Sequence, residues 1–286
     1  SCYFGATNNN YTEFDKLDKH RVCGIKLFMG SSTGNMLVDK MNSLLNIFNG
    51  TDMLIAAHCE VQETIKTNIE KYKQKYKGAD DIPVSAHPNI RSVPACYASS
   101  ELAVRLAKIA GARLHILHVS TAKELQLFSD EPLASKNITA EACVAHLLFT
   151  LTHYNSLGTR IKCNPAVKRK TDREALRAAV NSGLIDVIAT DHAPHLLNEK
   201  EGGALKAMSG MPMIQFSLVS MLELVDKGVF SLETVVQKMC HAPARIYGIC
   251  HRGYIREGYQ ADLVLVRPNS PWEVSADKIL SKCGWS

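Results

Sequence analysis

Short apolar runs alternate along this chain with longer amphipathic stretches, and four of the runs carry a polar residue at or near their C-terminal end. Alternation of this kind is the pattern of βα units wound around a parallel sheet. The spacing predicts strands over residues 2–6, 22–28, 53–58, 113–119, 137–142, 160–163 and 187–190. It predicts helices over 37–49, 61–76, 94–109, 123–128, 172–181, 214–226 and 232–240. Thr171 and Glu174 have capping-box spacing at the head of one of them. The fold class expected is α/β, a TIM-like (β/α)8 barrel over residues 1–250. After about residue 250 the run Gly253 to Gly258 leads into Ala261-Asp262-Leu263-Val264-Leu265-Val266 with no helix between. That texture predicts antiparallel strands, so residues 251–286 are read as part of a small β domain.

The polar interruptions constrain function. Lys26 breaks the run Val22-Cys23-Gly24-Ile25-Lys26-Leu27-Phe28, and a lysine at a buried strand position is rare unless it is paired or modified. His58 ends Met53-Leu54-Ile55-Ala56-Ala57-His58, His118 falls late in Leu114-His115-Ile116-Leu117-His118-Val119, and Asp191 ends Val187-Ile188-Ala189-Thr190-Asp191. In a (β/α)8 barrel the C-terminal strand ends meet at one mouth, where active sites form. Taken singly, each residue has an ordinary reading: His115, like His20, His153 and His241, reads as a satisfied core or loop histidine, and Asp191 equally as a helix cap. Taken together, two imidazoles, a carboxylate and an intrusive lysine make a set suited to divalent ions such as zinc.

Composition excludes several classes of function. Among 286 residues no apolar run approaches the ~20 needed for a membrane-spanning helix. Lys and Arg exceed Asp and Glu by 33 − 28 = 5, spread along the chain, which argues against nucleic acid as a partner and for a small-molecule substrate. The basic stretch from Lys66 to Lys77 reads as a solvated helix face. Nine cysteines form no CxxC pair and cannot all pair within one chain, so reduced thiols in a cytoplasm are expected. The sequons at Asn10, Asn49 and Asn137 are read as chance. The Gly30-Ser31-Ser32-Thr33-Gly34 loop lacks the lysine and spacing of a phosphate-binding loop.

At these same residues the chain resembles the amidohydrolase superfamily of metal-dependent hydrolases, and the dihydroorotases most closely. The resemblance lies in Gly24-Ile25-Lys26-Leu27-Phe28-Met29-Gly30, Ala56-Ala57-His58-Cys59-Glu60, Leu117-His118-Val119-Ser120-Thr121 and Ala189-Thr190-Asp191-His192-Ala193-Pro194-His195. It continues through Ala242-Pro243-Ala244-Arg245 to Gly258-Tyr259-Gln260-Ala261-Asp262-Leu263-Val264. It implies two divalent metal ions, with zinc expected, and a carbon dioxide adduct on Lys26 whose carbamate bridges them. His58 and His118 would bind one ion and Asp191 the other, with Asp191 also serving as base and then acid. For substrate it points to His195 and to Asn164 in Ile161-Lys162-Cys163-Asn164-Pro165, with backbone groups near Gly210 and Met211. Asn164 reads equally well as a turn residue before Pro165.

The expected activity is the reversible closure of N-carbamoyl-L-aspartate to dihydroorotate in de novo pyrimidine synthesis, by a cytoplasmic enzyme compatible with homo-oligomerisation. The alternatives are a hydantoinase or allantoinase, which would keep the metals and replace His195, and a non-catalytic scaffold relative, which would have lost ligands. The family begins its barrel with an HxH pair and a nearby substrate-binding arginine. Neither is found upstream of Lys26, so residues 2–6 are read as the third strand, with the first two strands not in this chain.

Overall fold

The computed structural model describes residues 2–30, 36–271 and 273–286. Residues 31–34 of the glycine–serine loop considered above lie outside the described residues. Six parallel strands pair in strict chain order: β1 (Cys2–Gly5), β2 (Val22–Phe28), β3 (Ile55–His58), β4 (Leu114–Ile116), β5 (Ile138–Cys143) and β6 (Val187–Ala189). Helices Met41–Asn49, Gln62–Lys75, Val93–Ala110 and Lys170–Ser182 connect them. Together these form the barrel-like sheet of a TIM-type α/β fold.

The register decides which residues share a face. Lys26 pairs with Ala56, Ala56 with His115, and His115 with Thr139. Farther along, Phe28 pairs with His58 and Glu141 with Val187. Successive side chains alternate between faces. Lys26, His58, His115, Thr139, Glu141 and Cys143 therefore all lie on one face, the polar one. The opposite face carries Ile25 and Leu27, buried in one core cluster with Leu44, Ile47 and Phe48 of the first helix. Burying each such side chain contributes roughly 1.5–3 kcal/mol, so the apolar face seats the helices and leaves the polar face for chemistry.

Four expectations are corrected. Residues 160–163 form no strand: a 3-10 turn spans Gly158–Ile161, and β5 pairs directly with β6, so there is no gap for a strand there. Lys162 instead accepts a hydrogen bond from Gly210 N. The helix expected from residue 172 begins at Lys170, and Asp172, at its third position, accepts from Arg169 N and Ala122 N. The helix expected over 232–240 is Leu232–Val236, then a π turn over Gln237–His241, then Ala242–Ile246. Pro243 lacks the N–H an unbroken α-helix would use, and a widened turn accommodates it.

Past residue 250 the described residues contain no strand, and Leu263, Val264 and Leu265 are exposed at 64%, 74% and 100%. A strand pattern without a pairing partner leaves its backbone groups to water. The division at residue 250 is thus a change of texture, without a formed β sheet behind it. Among the described residues no helix is long and apolar enough to cross a membrane.

Candidate active site

His58 closes β3 with its ring almost fully buried, and its Nδ1 lies 3.0 Å from Nε2 of His118. The rings meet edge to face, 4.7 Å between centroids and 75° apart. His118 lies beyond the end of β4 and has φ +40°; Asp191, beyond β6, has φ +46°. Non-glycine residues rarely adopt the left-handed region, and such strain tends to persist where the site requires it. Here it occurs at two of the four residues singled out by strand position.

Lys26 lies over the Phe28 ring, its Nζ 4.6 Å from the centroid. Burial lowers its amine below the usual lysine range, against the opposing pull of Glu141 and Asp191. The neutral amine is the form that reacts with carbon dioxide. Asp191 remains reachable through the mouth, yet the surrounding walls desolvate its carboxyl. Desolvation and then Glu141 raise it, against Lys26 and His58. Burial, His58 and Lys26 hold His118 well below its ordinary value, so its imidazole is neutral and able to act as a ligand.

Lys26, His58 and Asp191 thus act on one another electrostatically, while His58 and His118 touch. Among the described residues no three His, Cys, Asp or Glu side chains are grouped to hold an ion by themselves. The assembled part is the histidine pair, with Nδ1 of the buried His118 ring lacking a hydrogen-bond partner. Two ring nitrogens converging beside a lysine and a carboxylate fit a divalent metal as a donor set.

The chain segments next to Asn164 and His195 are joined by Lys200. Its buried ammonium donates to the carbonyls of Lys162, Met208 and Gly210 at 3.0, 2.8 and 2.8 Å. This clamp joins the segment before Asn164 to the segment facing His195. His192 bridges Met211, and Ala193 N donates to Met211 O. Gly210 has φ +146°, and a Cβ there would come within 2.5 Å of Ala193 O and 3.0 Å of His195 Cδ2, so glycine permits the close passage. His195 Nε2 lies 3.2 Å from Ser209 O. Asn164 precedes Pro165 in a cis peptide bond, and its Oδ1 accepts from His87 Nε2 at 3.2 Å. Burial pushes His87 down to about 3, so it is a neutral donor that also binds Cys163 O at 2.9 Å.

Sequence reading assigned no role to Glu60, Glu141, Arg91, His87 or Lys200. Glu141 offered the signal that exposed Lys26, a charge inside an apolar strand. Glu60 offered a subtler one, a carboxylate two residues beyond His58. All nine cysteines are free thiols; burial pushes Cys96 and Cys163 up to about 12, which keeps them from acting as nucleophiles.

Fold, face and site together define a cyclic-amidohydrolase type of barrel. The sequence profile of the Amidohydrolase family matches residues 38–281, and the chain belongs to that family. It is similar to the dihydroorotase of Halobacterium salinarum, with 31% identity over 263 residues that make up 91% of this chain and 59% of that protein. It is also similar to the dihydroorotase of Aquifex aeolicus, with 38% identity over 62% of this chain and 42% of that protein. The L-hydantoinase (dihydropyrimidinase) of Arthrobacter aurescens superposes with a TM-score of 0.82 at 28% identity, covering 91% of this chain and 58% of that one. The D-hydantoinase of a Thermus species, TM-score 0.79 at 20% identity, shares the fold. The chain spans little more than half the length of these relatives.

Proposed function

We propose that this chain carries the metal-binding and substrate-binding core of a dihydroorotase, which closes N-carbamoyl-L-aspartate to dihydroorotate with loss of water and runs in reverse as a hydrolase. The observation that carries this reading is the convergence of His58 Nδ1 and His118 Nε2, 3.0 Å apart, on the polar face that also bears Lys26. Lys26, His58, His118 and Asp191 would hold two divalent ions, with zinc the expected metal. Bound there, such ions supply Lewis acidity and make water nucleophilic near neutral pH.

The chain's own residues do the rest. The neutral Lys26 amine would add to carbon dioxide, forming an N–C bond and releasing one proton, which leaves an anionic carbamate able to hold a divalent ion. In hydrolysis Asp191 accepts the proton of the attacking water and returns it to the ring nitrogen as the C–N bond breaks; in cyclisation the transfers run backwards. Its raised pKa suits a group that must both take and give a proton. His195 and Asn164 would bind the ring carboxylate, which hydantoin lacks.

His195 favours dihydroorotate over hydantoin and allantoin, and the similarity to dihydroorotases along most of the chain supports the same choice. We place the reaction in cytoplasmic pyrimidine biosynthesis. The test is metal analysis of the full-length protein together with its turnover of dihydroorotate, hydantoin and allantoin. Bound divalent metal with preferential dihydroorotate turnover is the expected result. Preference for hydantoin or allantoin would move the protein to the hydantoinase branch, and metal-free inactive protein would favour a scaffold.

A further inference from the structure

Behind the histidine pair lies a buried ion pair that the reaction scheme does not use. Glu60 is fully buried, and its Oε2 receives both the Arg91 guanidinium and Nε2 of His58, the latter at 3.1 Å. A carboxylate paired with a guanidinium offers only acceptors, so the proton in the His58 contact belongs to Nε2. With its proton on Nε2, the ring presents Nδ1, the nitrogen facing His118, as its lone-pair atom. Gly30 packs so tightly here that a Cβ would lie 2.4 Å from Glu60 O, which holds the Glu60 backbone against the end of β2. Arg91, just past the short helix His87–Ile90, thus reaches His58 through Glu60.

We propose that Glu60, anchored by Arg91, is a positioning residue that keeps the proton of His58 on Nε2 and so presents Nδ1 as the metal-binding atom. Carboxylates behind metal-bound histidines act in this way, orienting the ring and raising its basicity. The inference rests on the metal-centre reading above and adds the residue that fixes its geometry.

The test uses the full-length protein with ¹⁵N-labelled histidine, the His58 signals being assigned by their loss in His58→Gln. In the metal-free protein Nε2 of His58 should already carry a proton and Nδ1 should not. The double variant Glu60→Gln with Arg91→Gln avoids stranding an unpaired charge. Its zinc affinity, measured by competition with a chelator, should fall roughly ten- to a hundredfold, with His58 shifting toward a mixture of tautomers. A structural role alone would lower the melting temperature and leave the tautomer intact. Zinc affinity within twofold of the parent, or a proton on Nδ1 in the parent, overturns the proposal while the metal centre stands. The parent's tautomer decides the matter even if the variant fails to fold. A parent that takes up no divalent ion overturns the metal centre and this inference with it.

Discussion

Two histidine–carboxylate pairs lie on the polar face of the sheet, each at 3.1 Å, and they have opposite characters. At the mouth, His58 Nε2 binds Glu60 while Nδ1 faces another ring nitrogen. Deeper in, His115 Nε2 binds Glu141 and Nδ1 is taken by Thr139 Oγ1 at 2.8 Å. Both nitrogens of His115 are occupied within the core, so it has nothing left for a ligand. What separates the proposed ligand from the structural histidine is the partner of its second nitrogen. His115 is the satisfied core residue its sequence position suggested.

The sharpest way to break this comparison is to exchange the two outcomes. His58→Ala should lower divalent-metal affinity by roughly a hundredfold or more. His115→Ala should keep the metal and lose roughly 2–4 kcal/mol of stability, because it leaves Thr139 and Glu141 buried without their partner. Metal titration alongside denaturant unfolding reads both, and metal loss in His115→Ala would erase the distinction. Lys26→Ala should cut dihydroorotate turnover by roughly a hundredfold, with partial recovery in millimolar short carboxylates or bicarbonate occupying the bridge. Near-normal turnover would remove the carbamate.

A smaller effect is expected at the substrate edge. His195→Ala should depress dihydroorotate turnover several-fold to a few hundredfold, roughly 1.5–3 kcal/mol, with metal content unchanged, since it removes a charge-assisted hydrogen bond to the ring carboxylate. Loss of both metals would make His195 a ligand, and circular dichroism checks that the variant is folded. A separate effect, on stability alone, is graded with pH. Burial holds His87 at about 3 and His146 at about 4, whereas the unfolded chain protonates them near 6.5. Between those values the unfolded state binds more protons, so this stability is complete above pH ~6.5 and declines as pH falls, by about 1.4 kcal/mol per unit for each group. Glu60 extends the loss: burial opposes its ionisation, but Arg91 and His58 hold it at about 2, so its share is present above pH ~4.5 and vanishes below. Melting temperatures of the metal-free protein, flat between pH 7 and 4, would refute this account.

Much of the fold was legible because it repeats. The period of apolar runs placed six strands within a few residues of β1 to β6, and β2 matched at both ends. The two strand failures share one cause. Residues 160–163 and 261–266 have the composition of strands, yet a strand exists only where another offers free backbone groups in register. The same limit applies to the site. Lys26, His58 and Asp191 stood out because a polar residue closing an apolar run is costly without a purpose.

The amino-acid sequence by itself determined the alternation of strand and helix, the family, and the residue types that chemistry at the mouth would need. The alternation and the residue types follow from local periodicity and composition, the family from the resemblance of short motifs, and none of these needs a distant neighbour. Only the tertiary structure decided that His58 and His118, sixty positions apart, share a point, that His115 is spent on Thr139 and Glu141, and that Lys200 joins the carbonyls of Lys162, Met208 and Gly210. It also decided that Glu60 stands behind His58 with Arg91 behind it. Hydrogen bonds between residues far apart in the chain depend on register and on loops crossing in space, and neither is written in any single run of residues.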